Sequence, residues 1–202
     1  MIDYNYSYTR FNNFSFYGND QLKQDLLVQL QYHHDHDQIV KGLYWENGKG
    51  CHIGCCTHSN SHKKMSEFFG LPLWLCYLFD SIFEGLSNED AIKFPLESIA
   101  AIPVGVDLEP VRHMLAIWRL VDPDQGVIRF NNHESIIKVA ELHKRALIEE
   151  VSEKEWSAAA ADAAADACSA SFADAVDSSI HYERQKHYQN ESTQLINLLK
   201  YA

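Results

Sequence analysis

From residue 20 onward, apolar positions recur at helical spacing. Leu22, Leu26, Leu27 and Leu30 form one stripe, the recurrence expected of a helix with a single buried face. Asp20 is the expected N-cap, and the helix is expected to run to about Val40 and stop at Gly42. His33, His36 and Asp37 fall on roughly one face of its last turns, where the helix dipole also favours histidine. "ENGKG" reads as a loop, because two glycines and an asparagine permit positive φ. Ser59-Asn60-Ser61 offers N-caps for a short helix ending at Gly70, and Pro72 opens the next one. That next segment, "PLWLCYLFDSIFEG", is apolar nearly all round, which predicts a buried central helix closed by Gly85. Asp80 and Glu84 lie on it at i and i+4.

Ser87-Asn88-Glu89-Asp90 caps a helix to about Ala101, interrupted or restarted near Pro95. Residues 108–121 carry Val111, Leu115, Trp118 and Val121 on one face. "DPDQG" is a turn, "VIRF" a short strand or extended link, and "NNHES" the cap of a helix through about Glu150. Alanine is the best helix former, so the Ala-rich tract predicts a long helix over about residues 154–178. An amphipathic helix over Asn190–Leu199 ends the chain. Residues 1–19, rich in Asn, Tyr and Ser, read as an irregular aromatic arm, with a short strand an option near Phe14 and Phe16. No Gly/Ser/Pro-rich linker divides residues 20–202. The expected fold is therefore all-α: a single-domain multi-helix bundle with at most a minor β element.

The segments "DQIVKGLYWENGKGCHIGCCTHSNSH", "FFGLPLWLCYLFDSIFEGL", "AIWRLVDPDQGVI" and "WSAAAADAAADA" resemble a family of phage and bacterial hypothetical proteins. That family combines a GKGCxxGC-type segment, an IFEGL-type helix and a Trp-Ser-Ala-Ala-type repeat tract. The resemblance covers roughly residues 33–200. It implies a shared organisation and a phage or mobile-element ancestry, and it carries no catalytic residues over.

The formal net charge of −11 on 202 residues argues against nonspecific binding to nucleic acid or to anionic membranes, both of which want a basic face. The expected partner is a small molecule or a protein, with homo-oligomerisation open. The most apolar stretch, "LPLWLCYLFDSIF", is short for a bilayer and contains Asp80. No signal-peptide pattern opens the chain. Five cysteines, three of them crowded, fit thiols in a reducing compartment, so a cytoplasmic location is expected.

The crowding directs attention to residues 48–62, "GKGCHIGCCTHSNSH". Three readings stand side by side. In the first, Cys51 is a nucleophile of a hydrolase or transferase. Its thiol would be activated by a helix N-terminus and by Lys49, with Gly48, Lys49 and Gly50 forming a backbone nest for an oxyanion or phosphate. His33, His34, His52 or His58 would be the base, oriented by Asp37, Asp80 or Glu84. In the second, Cys51, Cys55, His58 and His62 bind zinc. They stand at i, i+4, i+7 and i+11, so on one straight helix they would span about 16 Å, and a zinc site requires the chain to fold back. In the third, the segment is structural, with buried cysteines and glycines that permit close approach, in a non-enzymatic accessory protein.

Overall fold

The computed structural model describes residues 14–130, 134–170 and 180–202. The fold is all-α with one minor two-stranded β element. The chain divides into two compact units, Met1–Glu109 with Arg184–Ala202, and Pro110–Glu183. The first is discontinuous in sequence and therefore has no single linker at its border.

The first unit opens on a 3-10 turn, Ser15–Gly18, rather than a strand. Phe16 is buried there. The Ser15 hydroxyl donates to Pro103 O (2.6 Å) and accepts from Val106 N–H (3.1 Å), which clamps the turn to the far end of the unit. Residues 1–13 of the expected arm lie outside the described residues. Helix α1 is Asp20–Asp35. Its cap is Asn19, one residue before the expected Asp20, accepting from Gln21 and Leu22 N–H. α1 also stops five residues before Val40. Beyond Leu30 the segment "HHDHDQ" brings no apolar stripe to hold it helical, and the backbone finds other partners. Gln38 N–H donates to His33 O, while Gly50 N–H and Val40 N–H pair with Gln38 O and Gly50 O (each 2.9 Å).

A hairpin follows, β1 Trp45–Glu46 and β2 Lys49–Gly50. "ENGKG" is thus a tight antiparallel turn with Asn47 and Gly48 at φ 50° and 79°, the conformation that favours Asn-Gly in two-residue hairpins. Helices α2 His52–Thr57, α3 His62–Phe69, α4 Leu73–Gly85 and α5 Asn88–Ala101 complete the body. Ser61 and Ser87 serve as N-caps and Gly70 closes α3 at φ 63°, as their residue types predict. Pro95 does not interrupt α5. Its ring is buried, so tertiary packing holds a helix that local preference would break.

α4 is central, burying Leu75, Cys76, Leu78, Phe79, Ile82 and Phe83. It is not buried all round, however. Leu73, Tyr77, Ser81 and Glu84 form an exposed stripe at helical spacing, and Asp80 is only partly covered. Asp80 and Glu84 therefore do not pay the full desolvation cost expected of carboxylates on a buried helix. Leu22, Leu26 and Leu30 from α1, Ile53 from α2, Met65 and Phe69 from α3, and Phe94 from α5 fill the core. Helix α9 is Ile180–Lys200, longer than the expected Asn190–Leu199, and its Leu195 and Leu199 are buried.

The second unit holds α6 Glu109–Val121, α7 Glu134–Ala146 and α8 Glu153–Ala170. The Asp122 carboxylate accepts from Asp124 and Gln125 N–H, which explains the "DPDQG" turn. Val127–Arg129 is a 3-10 turn instead of a strand. α7 ends four residues short of Glu150. α8 begins with a capping box in which Ser152 and Glu155 exchange side-chain and backbone bonds. Residues 171–178 of the expected Ala-rich helix lie outside the described residues.

Candidate functional site

α2 is one and a half turns long, and its two ends decide what the Cys/His segment can do. Cys51 is the N-cap, and His58 closes the helix in the left-handed conformation at φ 49°. That left-handed residue turns the chain, so Cys51, Cys55, His58 and His62 never form a stripe. His58 swings to α1, and its Nε2 lies 3.0 Å from His33 Nε2. His62 faces α4 instead, its Nε2 3.1 Å from an Asp80 carboxylate oxygen that also accepts from Tyr44 Oη at 3.3 Å. Cys55 Sγ donates to Gly50 O at 3.2 Å. Among the described residues no group of three or more His, Cys, Asp or Glu side chains could hold an ion. The four-ligand zinc set is not assembled, because its members are drawn to three different partners.

The nucleophile reading is corrected at Cys51 itself. The residue is 1% exposed. Burial pushes its thiol up to about 12; N–H donors from Gly54 and Ile53 pull the other way, and the Asp80 and Glu84 charges push it further up. Desolvation of a thiolate outweighs a helix dipole of so few residues. Lys49 does not help, since its side chain is on the exposed side of the hairpin. Burial also pushes Cys55 and Cys76 up to about 12 and raises Cys56. No hydrogen bond joins Cys51 to a histidine among the described residues. At neutral pH, iodoacetamide should label these four cysteines slowly in the native protein and completely in urea. Rapid, selective native labelling of Cys51, read by peptide mass mapping, would contradict this.

The N–H groups at the end of the expected Gly48–Lys49–Gly50 nest are already used. Gly50 N–H is taken by Gln38 O, and Cys51 N–H by Leu43 O at 2.6 Å. Glu84 holds the preceding turn instead of a catalytic base: both its oxygens lie 3.1 Å from Gly42 N–H.

The structure does bring together two imidazole clusters on either side of the hairpin, with His33 buried and His58 and His62 partly covered. In one, His33 Nδ1 donates to Gln38 Oε1 at 2.6 Å while its Nε2 meets His58. Trp45 stacks on His58 (4.3 Å between ring centres, 16° between planes) and meets His33 edge-on. Burial and the neighbouring His33 lower the His58 pKa. In the other, Tyr77 stacks on His62 at 4.4 Å and Tyr44 closes it edge-on. The partners Gln38, Tyr44, Trp45 and Tyr77 carry no sequence signal of their own. The Asn-Gly turn is the one clue that the flanking aromatics would face neighbours across a hairpin. The second unit has an analogous pair, His113 and His143 with Nδ1 atoms 2.9 Å apart beside Trp156. There burial, then the His113 charge, lowers His143 to about 4. Its members are thirty residues apart in sequence and share no local pattern.

Away from the Cys/His segment, a cleft of about 1020 Å³ opens between the Ser15–Gly18 turn, α3, the start of α4 and the residues leading into α6. Phe14, Tyr17, Glu67, Leu73, Asp107 and Glu109 line it, and no Lys, Arg or His does among the described residues. Tyr17 Oη donates to Glu67 O at 2.6 Å, Trp74 Nε1 donates to Glu109 Oε2 at 3.0 Å, and Glu109 N–H donates to Asp107 Oδ1 at 2.9 Å. These bonds fix the Tyr17 ring and the Asp107 and Glu109 carboxylates in place. Comparison of the chain with family models, with curated proteins and with solved structures found no match.

Proposed function

We propose that the protein is a non-enzymatic interaction protein that takes a basic side chain of a protein partner in the Phe14–Tyr17–Glu109 cleft. The observation that carries this reading is the lining, in which two aromatic rings stand beside the carboxylates of Glu67, Asp107 and Glu109; Glu67 already pairs with Lys63 at 3.7 Å, as a carboxylate on this surface would with a partner's cation. A guanidinium or ammonium group fits such a surface twice over, by ion pairing and by stacking on an aromatic face. The net charge of −11 adds long-range attraction for the same partner. The buried Cys51 thiol favours this reading over a hydrolase or transferase. The thiol state of Cys51, Cys55, Cys56 and Cys76 suits a reducing cytoplasm. The resemblance to phage and bacterial proteins suits an accessory role.

The test is binding of a fluorescein-labelled octa-arginine peptide, followed by anisotropy. Binding is expected to weaken at least tenfold in Asp107→Asn/Glu109→Gln. It should change less than twofold in Asp25→Asn/Glu89→Gln, which removes the same charge from exposed helix positions outside the cleft. Equal weakening in both variants would reduce the interaction to net charge and overturn the cleft. Rapid labelling of Cys51 would restore the enzymatic reading.

A further inference from the structure

We propose that His33 and His58 form a binding site for a borderline divalent transition cation, Zn(II) or Cu(II), with Gln38 as the residue that orients it. The site is independent of the cleft. Three observations meet at it. The two Nε2 atoms face each other at 3.0 Å; two imidazole nitrogens held at about 2.0–2.1 Å by a tetrahedral zinc stand about 3.3–3.4 Å apart, so a shift of a few tenths of an ångström admits the ion. Gln38 Oε1 is an acceptor, so the His33 Nδ1 at 2.6 Å from it carries the proton. That fixes the tautomer of neutral His33 with its Nε2 lone pair turned toward His58, the role an outer-shell carbonyl plays behind a metal-bound imidazole. Trp45 stacks on one ring and abuts the other, holding both orientations.

The backbone supports the same arrangement from both sides. His33 is anchored where α1 ends, and Gln38 N–H is tied back to His33 O. His58 holds its left-handed conformation at the end of α2, which aims its ring at α1. In the metal-free state the short Nε2–Nε2 approach needs one shared proton, because two lone pairs at that distance repel. A cation takes the place of that proton, which passes to His58 Nδ1, so the neutral imidazole coordinates with no net release of a proton. With no third His, Cys, Asp or Glu grouped with the pair among the described residues, the remaining coordination positions fall to water. That is the pattern of an open site, not a closed structural one. Imidazole donors suit Zn, Cu and Ni over Mg or Ca.

The test uses the full chain and two measurements. Calorimetric titration with ZnCl2 should give one ion per chain. His58→Ala and Gln38→Leu should each weaken the affinity at least tenfold. His34→Ala/His36→Ala, which removes two exposed imidazoles, should leave it unchanged. Should a variant fail to fold, long-range ¹H–¹⁵N spectra of the wild-type protein decide instead: zinc should move the His33 and His58 Nε2 resonances, while Mg(II) moves neither. Binding that survives His58→Ala, or zinc shifts confined to other histidines such as the His113–His143 pair, would overturn the site.

Discussion

His52→Leu should stabilise the protein at pH 7 by about 1 kcal/mol and flatten its acid unfolding. His52 is fully buried in α2, and neither ring nitrogen has a hydrogen-bond partner among the described residues. It stacks on Phe79 at 4.7 Å and meets Phe94 edge-on at 5.5 Å. An unpartnered buried polar group costs about 1–3 kcal/mol. Leucine fills a similar volume and loses the ring stacking, worth about 0.5–1.5 kcal/mol, so a net gain of about 1 kcal/mol is expected. The acid effect is larger. Burial lowers the His52 pKa from 6.5 to about 3. Between these values the unfolded chain binds a proton that the folded chain refuses. Stability contributed by the neutral ring is complete above pH 6.5 and falls as pH drops toward 3, by about 1.4 kcal/mol per pH unit, or about 5 kcal/mol in all. Carboxylates and other histidines contribute equally to both proteins, so the difference curve isolates His52. Urea unfolding at pH 7 and pH 4 should show the leucine advantage growing by about 3 kcal/mol. A pH-independent difference would mean that His52 reaches solvent or a partner in the folded state.

Gly54→Ala should destabilise the protein by about 3 kcal/mol or more, although helix preference alone predicts a gain of about 1 kcal/mol. A Cβ on Gly54 would lie 1.5 Å from Tyr44 O and 2.6 Å from Tyr44 C. These are backbone atoms at the entry to the hairpin, and they cannot rotate aside as a side chain would. Cys51 N–H bonds to Leu43 O and Tyr44 O, so displacing Tyr44 would break the seat of α2 as well. Overpacking against backbone belongs to the upper range of single-residue effects. Gly48→Ala is the contrast. Gly48 has φ 79° with open space around it, so only the left-handed backbone penalty of about 1–2 kcal/mol applies. Denaturation midpoints of the two variants measure this. A Gly54→Ala protein as stable as wild type would mean that α2 does not rest on Tyr44. A structural segment needs glycines where another part of the chain comes close. Gly50 and Gly54 admit the Tyr44 backbone.

Most helices were legible because each carries its own local signal. The leucine stripe of α1, the serine caps of α3 and α5, Gly70, and the capping box of α8 act within a few residues of themselves. Helix boundaries depart from the local signals where a long-range partner competes with the helix. α1 ends at Asp35 because Gln38, Ile39 and Val40 pair with Gly50. α5 continues through Pro95 because the ring is buried. The same competition hid the site. Spacing aligned Cys51, Cys55, His58 and His62, but one left-handed residue at His58 sent the two histidines to α1 and α4. His33 and His58 were both legible as candidates, while Gln38 and Trp45, which orient them, were not.

The sequence by itself determined the helical class, most of the caps, the Asn-Gly turn and the crowding of Cys and His into residues 48–62. These follow from intrinsic backbone preference and the period of apolar residues, which act locally. Only the tertiary structure decided which thiols ionise, which carboxylates meet water and which imidazoles face each other. Charge state depends on desolvation, and pairing depends on where separate helices bring their side chains. Cys51 is chemically quiet because the core covers it. His33 and His58 are adjacent because α2 stops after Thr57 and turns.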